Sequence, residues 1–357
     1  LAPLGIKIDE AVNEDAATAK TALESAQTGL SLNVPAQGKF YRFSHNFGGE
    51  VGNLYVQAVA CGVQNKANGM LMSADQDAKS IFYYADGQLL SYYKGLYVKD
   101  EGSARGLQAV GVAGGAAKFE AGTVAGQLGI FAGGSFHANT SGDVRFIDHC
   151  GSVHSADHNF TVEEVTSLPV SITAAGYATF FAPVALTLPE GLTAYTVTVN
   201  NDGWATLNAI DGNVIPANTG VVLGAANGEK ATEGNYTLTV GGEAPAVVGN
   251  DLLGTVAASY VTAAAYVLGY INVAEEGEPV NKQVGFYTAT KNQQGNTSWL
   301  NTGFKAYLPK TGVAATLRFN FGGTTAIESV VNGIDANAAI YDLSGRRVEK
   351  AVKGIYI

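Results

Sequence analysis

The sequence predicts an all-β protein, and three observations carry that reading. Glycine makes up 45 of 357 residues while charged residues make up only 15%, a balance that supplies many tight turns and few of the charged faces that long amphipathic helices need. From Lys39 onward, short runs of β-branched and aromatic residues alternate with Gly, Asn and Asp, the pattern of strands joined by turns. Finally, Ser80–Lys99 reads SIFYYADGQLLSYYKGLYVK, and aromatic runs on both sides of Asp86-Gly87 are the strongest short-range signal for a β-hairpin.

In chain order, residues 1–37 read as a helical spacer. Val12, Ala16, Ala19, Leu23, Ala26 and Leu30 recur at spacings of four and three, with Asp9 as cap and Gly29 as stop. Residues 38–166 hold strand candidates FYRF, NLYVQA, MLMSA, SIFYY, LLSYY, GLYVK, GLQAV, AAKFE, LGIFA, SFHAN, VRFID and NFTVEEV, three sets of four. Gly-Gln-Leu recurs at 87–89 and 126–128, opening two of the sets, and self-similarity of this kind marks a repeat architecture. Residues 167–323 hold a second series, PVSIT, YATFFA, LTAYTVTV, WATLNAI, GVVLGA, YTLTVG, AAAYVLGYI, VGFYTAT, KAYLP and TLRFNF. Their alternation of apolar residues with Thr, Ser or Asn is that of a two-sheet β-sandwich with one wet face per sheet. Residues 324–357 end in AIYDLSGRRVEKAVKGIYI, two apolar strands around Gly turns.

Three resemblances follow from these motifs. The three four-strand units of 38–166 resemble a β-trefoil of the ricin-B-like lectin class. Where that family has Gln-x-Trp, this chain has Ser80-Ile81-Phe82, Ala117-Lys118-Phe119 and Asn159-Phe160-Thr161, each with a Phe near the Trp position. AGYATFFAPVALTLPEGLTAYTV, IPANTGVVL and KAYLP resemble a sandwich module of secreted Bacteroidales proteins. The 324–357 segment resembles part of the carboxyl-terminal sorting domain of Bacteroidetes, which implies an exported, secreted or cell-surface protein and an oxidising compartment.

The net charge of −10 and sequence pI near 5.0 argue against nucleic acid or an anionic membrane as partner. No apolar run is long enough for a transmembrane helix. Leu1 is not an initiator methionine, so the chain reads as trimmed. Cys61 and Cys150 have no metal-ligand spacing and read either as one disulfide or as two free thiols. Asp148, His149, Cys150, His154, Asp157 and His158 form the densest polar cluster, but their spacing matches no zinc motif. There is no Gly-x-Ser-x-Gly elbow. AGGAA and AGGSF read as turns, since neither opens a helix with a Lys-Ser/Thr behind it. No catalytic residue, metal or cofactor is assigned.

Binding is the function these residue types favour. A sugar presents an apolar C–H face that lies on an aromatic ring and vicinal hydroxyls that want a carboxylate or amide. The candidate glycan-binding residues are Tyr83, Tyr84, Asp86, Tyr92 and Tyr93 around the first turn, and His137, Asn139, Asp148 and His149 in the third unit. Strand alternation sends one tyrosine of each pair inward. Trp204, after Asp202-Gly203, reads as core; Trp299, in the polar run NQQGNTSW, reads as exposed. The expected function is a non-catalytic, lectin-like region of an exported surface protein. The alternatives are a structural or adhesive spacer, or the accessory tail of a secreted hydrolase with an upstream catalytic module.

Overall fold

The computed structural model describes residues 18–21, 34–66, 68–98, 105–150, 155–200, 203–247, 249–273, 281–321, 340–341 and 347–348. They form an all-β protein in two compact units. One runs to Pro169 and takes in Thr255–Tyr260 and Thr302–Phe304; the other holds Val170–Gly254, Val261–Asn301 and the chain from Lys305. Of the helix expected over 9–30, residues 18–21 are helical; its caps Asp9 and Gly29 lie outside the described residues. In the carboxyl-terminal segment the described residues pair as Ile340 with Val348 and Tyr341 with Arg347.

The first unit is built from β1 (Lys39–Asn46), β2 (Asn53–Ala60), β3 (Met70–Ser73), β4 (Phe82–Ala85), β5 (Gln88–Ser91), β6 (Ala117–Ala121), β7 (Leu128–Ala132), β8 (Gly134–Ser141), β9 (Val144–Cys150) and β10 (Thr161–Val165). Among the described residues, the expected strands GLYVK and GLQAV show single bridges, Leu90 with Tyr97 and Val98 with Leu107. β1 pairs with β4 and β10, β4 with β5, and β6 with β7. Leu128 bridges Phe160, and the Ala117 N–H donates to Gly87 O at 2.6 Å, so these strands close into a circuit. The hairpins β2–β3 and β8–β9, with the Val98–Leu107 bridge between them, form a cap. A closed circuit capped by two hairpins and a bridge between them has the connectivity of a β-trefoil.

Apolar residues from all three repeats fill its core: Phe43, Val56, Met70, Phe82, Leu89, Ile130, Phe136 and Phe160 are all buried together. Phe82 and Phe160 occupy two of the positions singled out above, and Phe119 packs against the same cluster. Each fully buried ring of this size stabilises the fold by roughly 1.5–3 kcal/mol relative to an exposed one.

The hairpin at Asp86-Gly87 forms as expected. Ala85 pairs with Gln88 across a two-residue loop, and Asp86 and Gly87 have φ of 51° and 67°, the left-handed pair of a type I′ turn. Its far side differs from expectation. β5 ends at Ser91, and Tyr92, Tyr93 and Lys94 lie in a turn, held by the Gly95 N–H on Ser91 O at 2.7 Å and the Lys94 N–H on Ser91 Oγ at 3.2 Å. Cys61 is a free thiol that donates to Lys66 O at 3.2 Å, so the disulfide reading is withdrawn for this residue.

Beyond the trefoil come β11 (Ser167–Ile172), β12 (Ala178–Phe180), β13 (Leu186–Thr187), β14 (Thr193–Val199), β15 (Trp204–Ala209), β16 (Val214–Ile215), β17 (Val221–Gly224) and β18 (Gly234–Val240). They are followed by β19 (Leu253–Thr255), β20 (Ser259–Val261), β21 (Ala265–Val273), β22 (Asn281–Thr288), β23 (Trp299–Asn301), β24 (Lys305–Pro309) and β25 (Thr316–Phe321). A four-stranded sheet has the order β11-β18-β13-β16, and a nine-stranded sheet the order β12-β17-β14-β15-β25-β22-β21-β24-β19. Only the β15–β25 pair of the large sheet's described ladders is parallel. The large sheet curls: β12 lies against β24, and Val197, Leu207, Val222, Phe286, Leu308 and Leu317 from its strands share one core. On β14 and β17 the residues of opposite parity, Ala194, Thr196, Val221 and Leu223, are buried too. That part of the sheet is therefore covered on both faces, whereas simple alternation predicted one wet face throughout.

Candidate functional site

The nine candidate residues separate into two environments. At the first turn, Tyr83 is buried against Phe40, with ring centroids 4.9 Å apart. Tyr84 is half-buried on the core and meets Phe119 edge-on at 5.2 Å. Tyr92 is buried, its ring edge-on to Phe40 at 6.0 Å and its hydroxyl donating to Pro169 O at 2.9 Å. Burial pushes the Tyr92 phenol well above its usual range. Burial, then the nearby Asp86 charge, raises Tyr83 and Tyr97. Asp86 and Tyr93 alone are exposed, and the Lys94 ammonium sits 4.7 Å from the Tyr93 ring centroid. Three of these four tyrosines are thus occupied by packing.

The third repeat behaves differently. On the β8–β9 hairpin His137 pairs with Asp148 and Asn139 with Phe146, so alternation puts His137, Asn139 and Asp148 on one face. Phe136, Ala138 and Ile147, of opposite parity, enter the core. Asp148 is only 8% exposed. Its Oδ1 accepts from Lys66 Nζ at 2.5 Å and from the His149 N–H at 2.7 Å, and its Oδ2 accepts from Asn139 Nδ2 at 3.0 Å. Burial works to raise this carboxyl, but those three donors outweigh it and hold it below the usual carboxylate range. The His137 ring stacks on His158 at 4.7 Å and 11°. His158 is buried in the turn Ala156–His158, its Nδ1 3.1 Å from Ser155 Oγ.

His149 does not join that face. Adjacent strand residues point to opposite sides, and its Nδ1 instead lies against Arg105 Nη2. Desolvation, then the Arg105 charge, lowers the His149 pKa, which keeps the ring neutral and Nδ1 able to accept. Arg105 is 0% exposed, donates from Nε to Gly134 O at 3.1 Å, and bridges the cap by backbone bonds to Met70 and Ile147. Lys66 and Arg105 had no sequence signal, because each meets its partner across a long chain separation. Of the polar cluster 148–158, His154 lies outside the described residues. Among those described, no three His, Cys, Asp or Glu side chains converge as a metal site.

Chemically, the face offers a fixed carboxylate, an amide and an imidazole. A carboxylate has about four lone-pair sites, and three are used here, which leaves one on Oδ2 for a ligand hydroxyl. A carboxyl held ionised is an acceptor rather than a proton donor.

No protein-family model and no curated protein matches the chain. Among solved structures it is similar to Cry35Ab1, with 12% sequence identity over 48% of this chain and 50% of that chain and a TM-score of 0.27. A likeness that weak says nothing of the site.

Proposed function

We propose that the chain is a non-catalytic, lectin-like, carbohydrate-binding region of an exported bacterial surface protein, with the third trefoil repeat as its contact surface. The observation that carries this is the Asp148–Asn139 pair beside His137 on the outward face of β8–β9. A sugar diol would take the remaining Asp148 lone pair and meet the amide, with its C–H face near the imidazole. The depressed Asp148 pKa favours binding over acid catalysis. Export rests on the resemblance of AIYDLSGRRVEKAVKGIYI to sorting domains. Tyr83, Tyr84 and Tyr92 support the second reading, a structural spacer, because their rings are committed to packing.

Single-site glycan contacts of this kind have dissociation constants on the order of millimolar, about −4 kcal/mol, and gain strength by multivalency. A glycan array probed with the multimerised chain, followed by calorimetry on the hits, tests the reading. The double variant His137→Ala, Asn139→Ala should bind at least about tenfold more weakly, a loss of about 1.4 kcal/mol, with its circular dichroism unchanged. Absence of any glycan hit at millimolar concentration leaves the spacer reading.

A further inference from the structure

Trp204 opens β15 and is 37% exposed, whereas Trp299 is 5% exposed, its ring packed edge-on to Tyr307 at 5.0 Å and its Nε1 donating to Ala263 O at 3.3 Å. The sequence reading of the two tryptophans is reversed. Ala205 and Leu207, the β15 residues of opposite parity to Trp204, are buried in the core. Trp204 therefore stands on the outer face of the large sheet. The ladder extends that face over four strands: Trp204 pairs with Arg318, Arg318 with Gly285, and Gly285 with Gly269. Tyr287, two residues along β22, shares the face and is 38% exposed. Its ring lies across Gly269, where a Cβ would stand 2.3 Å from Tyr287 Cε1. A side chain at Gly269 would lift the ring, so the glycine keeps the surface flat.

Strand spacings of about 4.8 Å and rises of about 3.4 Å per residue set the Trp204 and Tyr287 backbones about 12 Å apart, room for about two pyranose rings. The face is also distinctive in charge. The chain has 31 Asp and Glu, yet Thr206, Asn208, Thr316, Asn320, Gln283, Val267 and Ile271, strand residues that share this face by register, include no carboxylate. Arg318 lies at the centre, its guanidinium carbon 5.9 Å from the Trp204 ring centroid. Among the described residues no Asp or Glu pairs with it.

We propose that this face binds an anionic glycan, a polysaccharide bearing uronic-acid carboxylates, with sugar rings on Trp204 and Tyr287 and a carboxylate on Arg318. Aromatic planes accept the C–H faces of sugars, a guanidinium takes a carboxylate through two parallel hydrogen bonds, and the amides and hydroxyls around them suit ring hydroxyls. A single cation is too little for a nucleic acid, which is held by many phosphate contacts.

Tryptophan emission reads this site directly, because Trp204 is the accessible tryptophan. Titration of the full chain, and of its Trp299→Phe variant, with oligogalacturonate should give a saturable change in emission that weakens with salt; neutral maltooligosaccharide should give none. Arg318→Gln should weaken binding at least about tenfold, the loss of a charge-assisted pair, and Tyr287→Ala should weaken it with circular dichroism unchanged. The His137→Ala, Asn139→Ala variant should bind oligogalacturonate normally, which separates this platform from the trefoil site. No saturable change up to millimolar oligogalacturonate, equal binding of the neutral sugar, or an Arg318→Gln variant that binds normally overturns the proposal.

Discussion

Replacing Asp148 by Asn isolates the charge at the centre of the trefoil site. Asp148 is 8% exposed and its carboxylate takes three hydrogen bonds, the shortest from Lys66 at 2.5 Å. The amide retains one acceptor oxygen for Lys66 and His149 but turns an NH₂ toward the Asn139 donor. Hydrogen bonds to a charged group are worth roughly 1.5–3 kcal/mol. The one-sided loss of a fully buried pair costs about 3–5 kcal/mol, but the Lys66 side chain is 27% exposed and can rehydrate, so about 2 kcal/mol is expected at pH 7. The pH dependence has a definite sign. A carboxyl whose folded pKa is depressed contributes stability that is present above its unfolded pKa and lost as pH falls through the folded value. The gap between the native chain and Asp148→Asn should therefore be full at pH 7 and shrink in acid, from the ordinary value of 3.8 downward. Denaturant unfolding followed by far-UV circular dichroism measures it. Tryptophan emission monitors the second unit separately, since Trp204 and Trp299 both lie there. A gap below about 0.5 kcal/mol at pH 7, the range of ordinary surface substitutions, or one that persists unchanged in acid, would refute the reasoning.

Two further outcomes follow from the first turn. Tyr92→Phe removes the hydroxyl that donates to Pro169 O and should cost about 1 kcal/mol in denaturant unfolding without altering glycan affinity; a loss of binding would return Tyr92 to the ligand site. Gly87→Ala places a Cβ in open space but at φ +67°, so the whole cost is backbone conformation, about 1–2 kcal/mol, and a neutral result would mean that the turn is not held in its left-handed form.

The parts of the fold visible in the sequence are those specified by neighbouring residues. Asp86-Gly87 dictates a two-residue loop, and the Gly-Gln-Leu repeat marks two strand starts where Gly87 and Gly126 take positive φ and Leu89 and Leu128 are buried. The third member, Gly38-Lys39-Phe40, has the same conformation, with Gly38 at φ 80° and Phe40 buried. It was hidden because only the glycine and an apolar third residue are physically required; the middle residue is free to vary. What failed depended on distant cover. The polarity around Trp299 says nothing about Tyr307 and Ala263 closing over it, and the Asp-Gly before Trp204 says nothing about the face on which β15 presents it. At the site, His137, Asn139 and Asp148 follow from strand alternation once the hairpin register is known. Lys66 and Arg105 do not, since they arrive from other repeats. The adjacent His149 was grouped with Asp148 by sequence, although alternation itself sends the two apart.

The three repeats share a core but divide the surface unequally. Among the described residues the second repeat's cap shows the bridge Val98–Leu107, and in the first the β2–β3 ladder shifts register between Val56 and Ala60. The β8–β9 hairpin of the third repeat pairs continuously from Ser135–Cys150 to Ser141–Val144. An unbroken ladder keeps its outward side chains in regular register, while a bulge shifts that register and re-aims them. Arg105, sent from the second repeat into the cap, donates to Gly134 at the start of β8 and lies against His149 on β9; Lys66, from the first, fixes Asp148. Two repeats thus supply supports for the polar face that the third presents, and a ligand site of this composition is expected on β8–β9.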